Sequence, residues 1–198
     1  MSNVKRTINT DKIVLCGILT AIVIILQLLA SLFLRFGIFQ VSLVLIPIVI
    51  GAAVCGTWAS TWLGFVFGVV VLLNGDASFF LGLNAPATIF VVLLKGILCG
   101  LLAGIVYWAV SKKNKTLAVI LAAIVCPLTN TGIFFLGCLI FFMPQLEPYA
   151  VQMGFKDALS YVLLGMIGGN FLFELITNIV LAPAIMTIIN FVEKKKTR

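Results

Sequence analysis

The strongest constraint on this chain is the length of its uninterrupted apolar runs. About 20 helical residues are needed to cross roughly 30 Å of hydrocarbon. Six runs approach or exceed that length, at 13–34, 38–54, 57–73, 87–110, 116–142 and 159–191. With 63% hydrophobic and only 10% charged residues and a mean hydropathy of +1.27, the 198 residues lie well outside the composition of soluble domains. The chain therefore reads as an all-α integral membrane protein, a bundle of six transmembrane helices in one domain over residues 1–198. The second and third runs are short and share a tight turn at Gly56-Thr57, and Pro183 offers a bend in the long last one. The stretch before Lys12 is polar and the run after it lacks a small-residue cleavage site, so it reads as a first span and not as a removable signal.

A net charge of +7 in a soluble protein would suggest nucleic acid, but here the cations are sorted by position. Lys5, Arg6 and Lys12 precede the first run; Lys112, Lys113 and Lys115 separate the fourth and fifth; Lys194, Lys195, Lys196 and Arg198 follow the sixth. Basic residues collect on the cytoplasmic side. Both termini are thus expected in the cytoplasm, and no nucleic-acid partner is expected. The opposite segments carry Arg35 and Lys156 against Asp76, Glu147 and Asp157, with no basic excess. The basic ends also suit anionic membrane lipid.

The chain has no histidine, and its five cysteines, Cys16, Cys55, Cys99, Cys126 and Cys138, form no CxxC pair. Neither a metal site nor a dithiol centre is supported, and buried cysteine serves as a small apolar residue. No serine or cysteine stands beside a plausible base, and no glycine loop with its lysine cradles phosphate. No cofactor and no enzymatic activity are expected. Uphill movement of a solute would need an ion gradient or a partner that hydrolyses ATP.

Small residues recur four apart at Gly17/Ala21, Gly64/Gly68, Gly96/Gly100/Gly104 and Gly165/Gly169. In lipid such faces let helix backbones approach. Most should pack inside the bundle, whereas Gly17/Ala21 could equally meet another subunit. Two outer segments, 74–86 and 143–158, mix turn residues, prolines and aromatics and read as loops that either cover a cavity mouth or anchor at the headgroups.

Charges within hydrocarbon are costly and usually face a partner, a pathway or a ligand. Lys95 and Glu174 both fall inside apolar runs. At about 1.5 Å rise per residue, Lys95 and Gln27 lie at one depth, roughly 12 Å below the outer end of their spans. Asn130 sits near the middle of the fifth run just after Pro127, and Asn170, Glu174 and Asn178 form one stripe on the sixth. Two readings stay open. Lys95 and Glu174 either neutralise each other as a helix-joining ion pair, or contribute with the amides to a pocket for a small polar solute.

The segment 46–68, IPIVIGAAVCGTWASTWLGFVFG, the first-run pair Gly17/Ala21 and the sixth-run NFLFELITNIVLAPAI (170–185) resemble the substrate-binding S component of energy-coupling factor (ECF) vitamin transporters. The resemblance covers about 170 residues, and at Ser60 a second small residue, often glycine, would be the family pattern. It implies a multi-pass protein of a bacterial-type plasma membrane that binds a water-soluble vitamin near the outer face. It also implies a transmembrane coupling subunit and two cytoplasmic ATPases as partners, with the loaded protein toppling in the membrane. Carried over onto this chain, Lys95, Asn130, Asn170, Glu174 and Asn84, joined by Gln27 from the depth argument, become the candidate substrate-binding residues. Gly17 and Ala21 become the partner interface. A lysine among amides suits a ligand with a carboxylate and amide or hydroxyl groups, pantothenate being the first candidate. Rival readings are a non-transporting scaffold of the cell-shape type and a small stand-alone secondary transporter.

Overall fold

Inside hydrocarbon no water satisfies a backbone N–H or C=O, so an apolar run must bond its own backbone and coils into helix. The computed structural model describes residues 10–33, 35–36, 39–40 and 43–196. Lys5, Arg6, Arg198 and the start of the run at 38 lie outside the described residues. Helix α1 covers Thr10–Phe33, α2 Leu45–Val54, α3 Thr57–Leu73, α4 Ser78–Ser111 and α5 Lys115–Gly137. A π-helical turn over Cys138–Phe142 leads into α6, Met143–Gln152. The short α7, Ala158–Ser160, passes through a second π-helical segment, Tyr161–Gly168, into α8, Gly169–Lys196. Between α1 and α2, Arg35–Phe36 and Phe39–Gln40 pair as a two-residue antiparallel ladder.

Four helical stretches are each long and apolar enough to cross a membrane, namely Thr10–Leu32, Ser78–Ser111, Lys115–Gln152 and Ala158–Val192. The second and third expected spans appear as shorter apolar helices, Leu45–Val54 and Thr57–Leu73. Large apolar side chains such as Ile13, Val14, Ile25 and Leu32 stand more than half exposed on α1. An outward apolar face of this kind is what a lipid solvent selects.

Two contacts set the direction of the first helices. The Cys55 thiol donates to the Lys12 carbonyl at 3.7 Å, so the α2–α3 turn lies beside the start of α1. At the other end, the Ser31 hydroxyl donates to Asp76 at 2.7 Å, which ties the end of α1 to the α3–α4 turn. Lys112 stacks over Trp108 with its Nζ 4.3 Å from the ring centre, a cation–aromatic pair suited to a headgroup boundary.

The segments expected as outer loops are mostly helical. Pro86 lacks a backbone N–H and clashes with a preceding helical turn, so it suits the first turn of a helix and not its interior. The chain breaks at Asn84 (φ −157°, ψ 93°), where α4 consists of two segments meeting at a kink. The second segment is the span expected from residue 87. In 143–158, Pro144 falls in the first turn of α6, where a missing N–H costs nothing. Leu146 and Ala150 are fully buried and hold that helix against the bundle. The acids of this region cap helix starts: Glu147 accepts from the Ala158 N–H at 2.9 Å, and Asp157 from the Ser160 N–H at 2.7 Å. Donation from Ser160, by backbone and by hydroxyl, holds the Asp157 carboxyl below its ordinary range.

The glycine repeats of α3 and α4 face each other. A Cβ on Gly64 would strike the Gly96 carbonyl, and one on Gly96 the Gly64 carbonyl. One turn further along, a Cβ on Gly100 would strike the Ser60 carbonyl. Ser60, where the resembled family often has glycine, is fully buried, and its hydroxyl donates to the Gly100 carbonyl at 2.8 Å. Its side chain therefore bonds the facing helix in the space that a second glycine would leave open. Gly17, by contrast, meets nothing within 4 Å.

Candidate functional site

At the end of the bundle away from Lys112, the helices enclose a cavity of about 620 Å³. Its size is that of a small-molecule site, roughly 300–1,000 Å³. Gln27 from α1, Lys95 from α4, Asn130 from α5 and Asn170 and Glu174 from α8 all line it. The exposed residues Phe79, Gln152 and Met153 border it, so its mouth lies between the first segment of α4 and the end of α6. Both π-helical segments contribute, through Phe142, Tyr161, Met166 and Ile167. Wide turns of this sort displace side chains from regular helical positions and are frequent at functional sites.

Lys95 lies about 16 Å beyond the Asn84 kink at 1.5 Å per residue. Its Nζ sits 5.7 Å from the centre of the Phe67 ring and 5.4 Å from that of Phe134. Glu174, only 6% exposed, is within electrostatic reach of Lys95. The two form no direct ion pair among the described residues, and space remains between their helices. Asn130, 7% exposed, stands on the same wall, with its Oδ1 buried and without a hydrogen-bond partner. Asn178 is fully buried but outside the cavity wall; its amide donates back to the Glu174 carbonyl at 2.9 Å.

Asn84 is not among the cavity-lining residues. Its side-chain oxygen accepts from the Ala87 N–H at 3.2 Å, and its carbonyl from the Thr88 hydroxyl at 2.7 Å. It acts as the N-cap of the helix that restarts after the kink, a role that uses up its acceptors. Thr88, one turn on and 1% exposed, stands on the wall instead.

Sequence reasoning counted Asp76 only as an outer-loop charge, and the structure gives it a larger place. One of its carboxylate oxygens accepts from the Gln27 amide at 2.6 Å, the Ser31 hydroxyl at 2.7 Å and the Asn74 amide at 2.7 Å. The turn Asn74-Gly75-Asp76, with Gly75 at φ +85°, brings the carboxylate over α1. That Asn-Gly-Asp turn was the available signal, although the partners on α1 are far off in sequence. The other unforeseen element is an aromatic wall. Phe80 meets Phe134 edge-on at 5.3 Å and Phe142 at 5.0 Å, and Phe79 meets Tyr149 at 5.1 Å.

Asp76→Ala is expected to lower stability by about 1–3 kcal/mol, the cost of leaving a buried donor such as the Gln27 amide unpaired. The measurement is thermal unfolding of detergent-solubilised protein. An unchanged midpoint would show that the cluster does not hold α1 to the α3–α4 turn.

No curated protein sequence and no solved structure matches the chain. A family model described as "ECF transporter, substrate-specific component" matches residues 11–186, nearly the whole membrane part. By that match, the chain belongs to the family of ECF transporter substrate-specific components.

Proposed function

We propose that this protein binds a small water-soluble vitamin, or a metabolite of similar size, in the cavity between α1, α4, α5 and α8, and delivers it with an ATP-driven coupling module. Membership of the family makes the chain a substrate-binding subunit of a transporter. The observation that carries the site assignment is the convergence of Gln27, Lys95, Asn130, Asn170 and Glu174, from four helices, on one cavity. A cell-shape scaffold has no use for such a hollow. In this reading α2 and α3 complete a six-span bundle in a bacterial plasma membrane, with both termini and the Lys112–Lys115 turn in the cytoplasm. Pantothenate loses its particular support, because Glu174 stands within reach of Lys95 and opposes an added carboxylate.

The test is to purify the protein in detergent from cells grown on rich medium and identify any retained small molecule by mass spectrometry. Retention of a stoichiometric metabolite that also protects the protein against heat is expected. Absence of any bound molecule, together with no uptake by vesicles holding the complete complex, would refute the reading.

The same reading gives α1 to the coupling subunit. Gly17 and Ala21 are exposed on one face of that helix, and a flat small-residue face allows close helix approach. Gly17→Val and Ala21→Val are expected to reduce recovery of the complex with the coupling subunit several-fold while ligand affinity is unchanged. Lost affinity with assembly intact would reverse the assignment.

A further inference from the structure

A second hollow opens on the outside of the bundle, between α5 and the π-helical segment that leads into α8. It holds about 220 Å³ and is lined by Leu128, Thr131 and Gly132 on one side and by Leu163, Ile167 and Phe171 on the other. Two features open it. A Cβ on Gly132 would meet no atom within 4 Å, so the facing helix leaves a gap there. The π geometry over Tyr161–Gly168 also displaces side chains from regular helical positions. Thr131 and Ile167 line the binding cavity as well. At that point the cavity wall is one side chain thick.

The surroundings identify what fills the groove. Both flanking stretches, Lys115–Gln152 and Ala158–Val192, are long and apolar enough to cross a membrane, and Leu128, Leu163, Leu164 and Leu172 stand between 41% and 69% exposed around it. The medium over it is hydrocarbon. Gly132 lies about 25 Å along α5 from Lys115 at 1.5 Å per residue, which puts the groove in the half of the bilayer that holds the cavity. Water is a poor occupant, because a bound water needs two to four polar partners and Thr131 brings the only polar side chain of the lining. A neighbouring helix approaches closely where small residues flatten the face, and here exposed leucines form the rim. A flexible alkyl chain passes between them and restores the dispersion contacts that an empty groove forfeits.

We propose that one acyl chain of a phospholipid from that leaflet seats in the groove and forms the outer layer of the cavity wall. It packs on the lipid side of Ile167 and braces the π-helical segment that carries Tyr161, Met166 and Ile167 to the cavity. This site is separate from the ligand site. Its assignment needs only the membrane placement of α5 and α8, so it stands or falls independently of vitamin binding.

The test uses the full chain in vesicles of phosphatidylcholine doped with a phosphatidylcholine that carries a diazirine on one acyl chain. After irradiation, labelled peptides are mapped by mass spectrometry. Labelling over 128–135 and 163–171 is expected to exceed, several-fold, that of the comparably exposed α1 face at Ile25 and Leu29. Gly132→Phe fills the groove and should abolish the excess, whereas Leu164→Phe, beside the groove but outside its lining, should keep it. In detergent, added phosphatidylcholine should raise the thermal unfolding midpoint of wild type and of Leu164→Phe more than that of Gly132→Phe. Even labelling of α1 and the groove in the wild type would overturn the proposal without recourse to any variant. So would an excess that survives in folded Gly132→Phe, a lipid-induced shift equal in all three proteins, or crosslinks from the groove to a second chain in place of lipid.

Discussion

Gly96→Leu is expected to abolish recovery of folded, monodisperse protein from the membrane. The side chain would have to occupy space already held by the Gly64 carbonyl, so α3 and α4 would be forced apart. Overpacking ordinarily costs about 1–3 kcal/mol. Here the obstruction is backbone and cannot swing aside as a flexible side chain would. The separation would also break the Ser60–Gly100 hydrogen bond and open the wall that carries Lys95 and Phe67. Gly132→Ala is the control, because nothing lies within 4 Å of a Cβ at that position. Size-exclusion profiles and thermal unfolding in detergent report the outcome. If Gly96→Leu behaved like Gly132→Ala, the close α3–α4 contact described here would be wrong.

Lys95→Met should weaken binding of the natural ligand at least tenfold, equivalent to about 1.4 kcal/mol, and Asn170→Ala should do the same. Methionine approximates the lysine stem and still packs between Phe67 and Phe134, so the fold is expected to persist. What is lost is the ammonium, the strongest donor on the wall. Removing it also leaves Glu174 without its nearby opposite charge. A double variant, Lys95→Met with Glu174→Gln, therefore separates the two effects. If the second change restores stability without affinity, the lysine contacts the ligand. If it restores both, Lys95 served only to balance Glu174. Equal affinity in wild type, Lys95→Met and Asn170→Ala would remove the site assignment while leaving the fold untouched.

Much of the cavity was legible because the relevant signal was a cost. A lysine, a glutamate and isolated amides inside apolar runs are expensive in hydrocarbon, and the sequence displays them against a plain background. Gln27, Lys95, Asn130, Asn170 and Glu174 share the cavity for that reason. Asn84 carried the same residue type in a turn-like context. Whether such an asparagine caps a helix or faces a ligand depends on the chain path at Pro86, which composition does not encode. Residues 143–152 are helix and not loop because Leu146 and Ala150 pack α6 onto the bundle and Pro144 sits in its first turn, where it interrupts nothing.

The sequence by itself determined the solvent and the helical state of the long apolar runs: such runs must live in lipid, and in lipid they must be helical. Glycines spaced four apart also marked faces where helices could approach closely, while the pairing of the α3 face with that of α4 came from the structure. Only the tertiary structure decided which polar groups meet. The bond between Gln27 and Asp76 joins residues 49 positions apart. Asp76 takes the nitrogen of the Gln27 amide and leaves its oxygen buried without a partner. Helix rotation and the kinks at Asn84 and the π-helical segments set those directions, and they follow from packing among all the helices, which no local stretch of residues specifies.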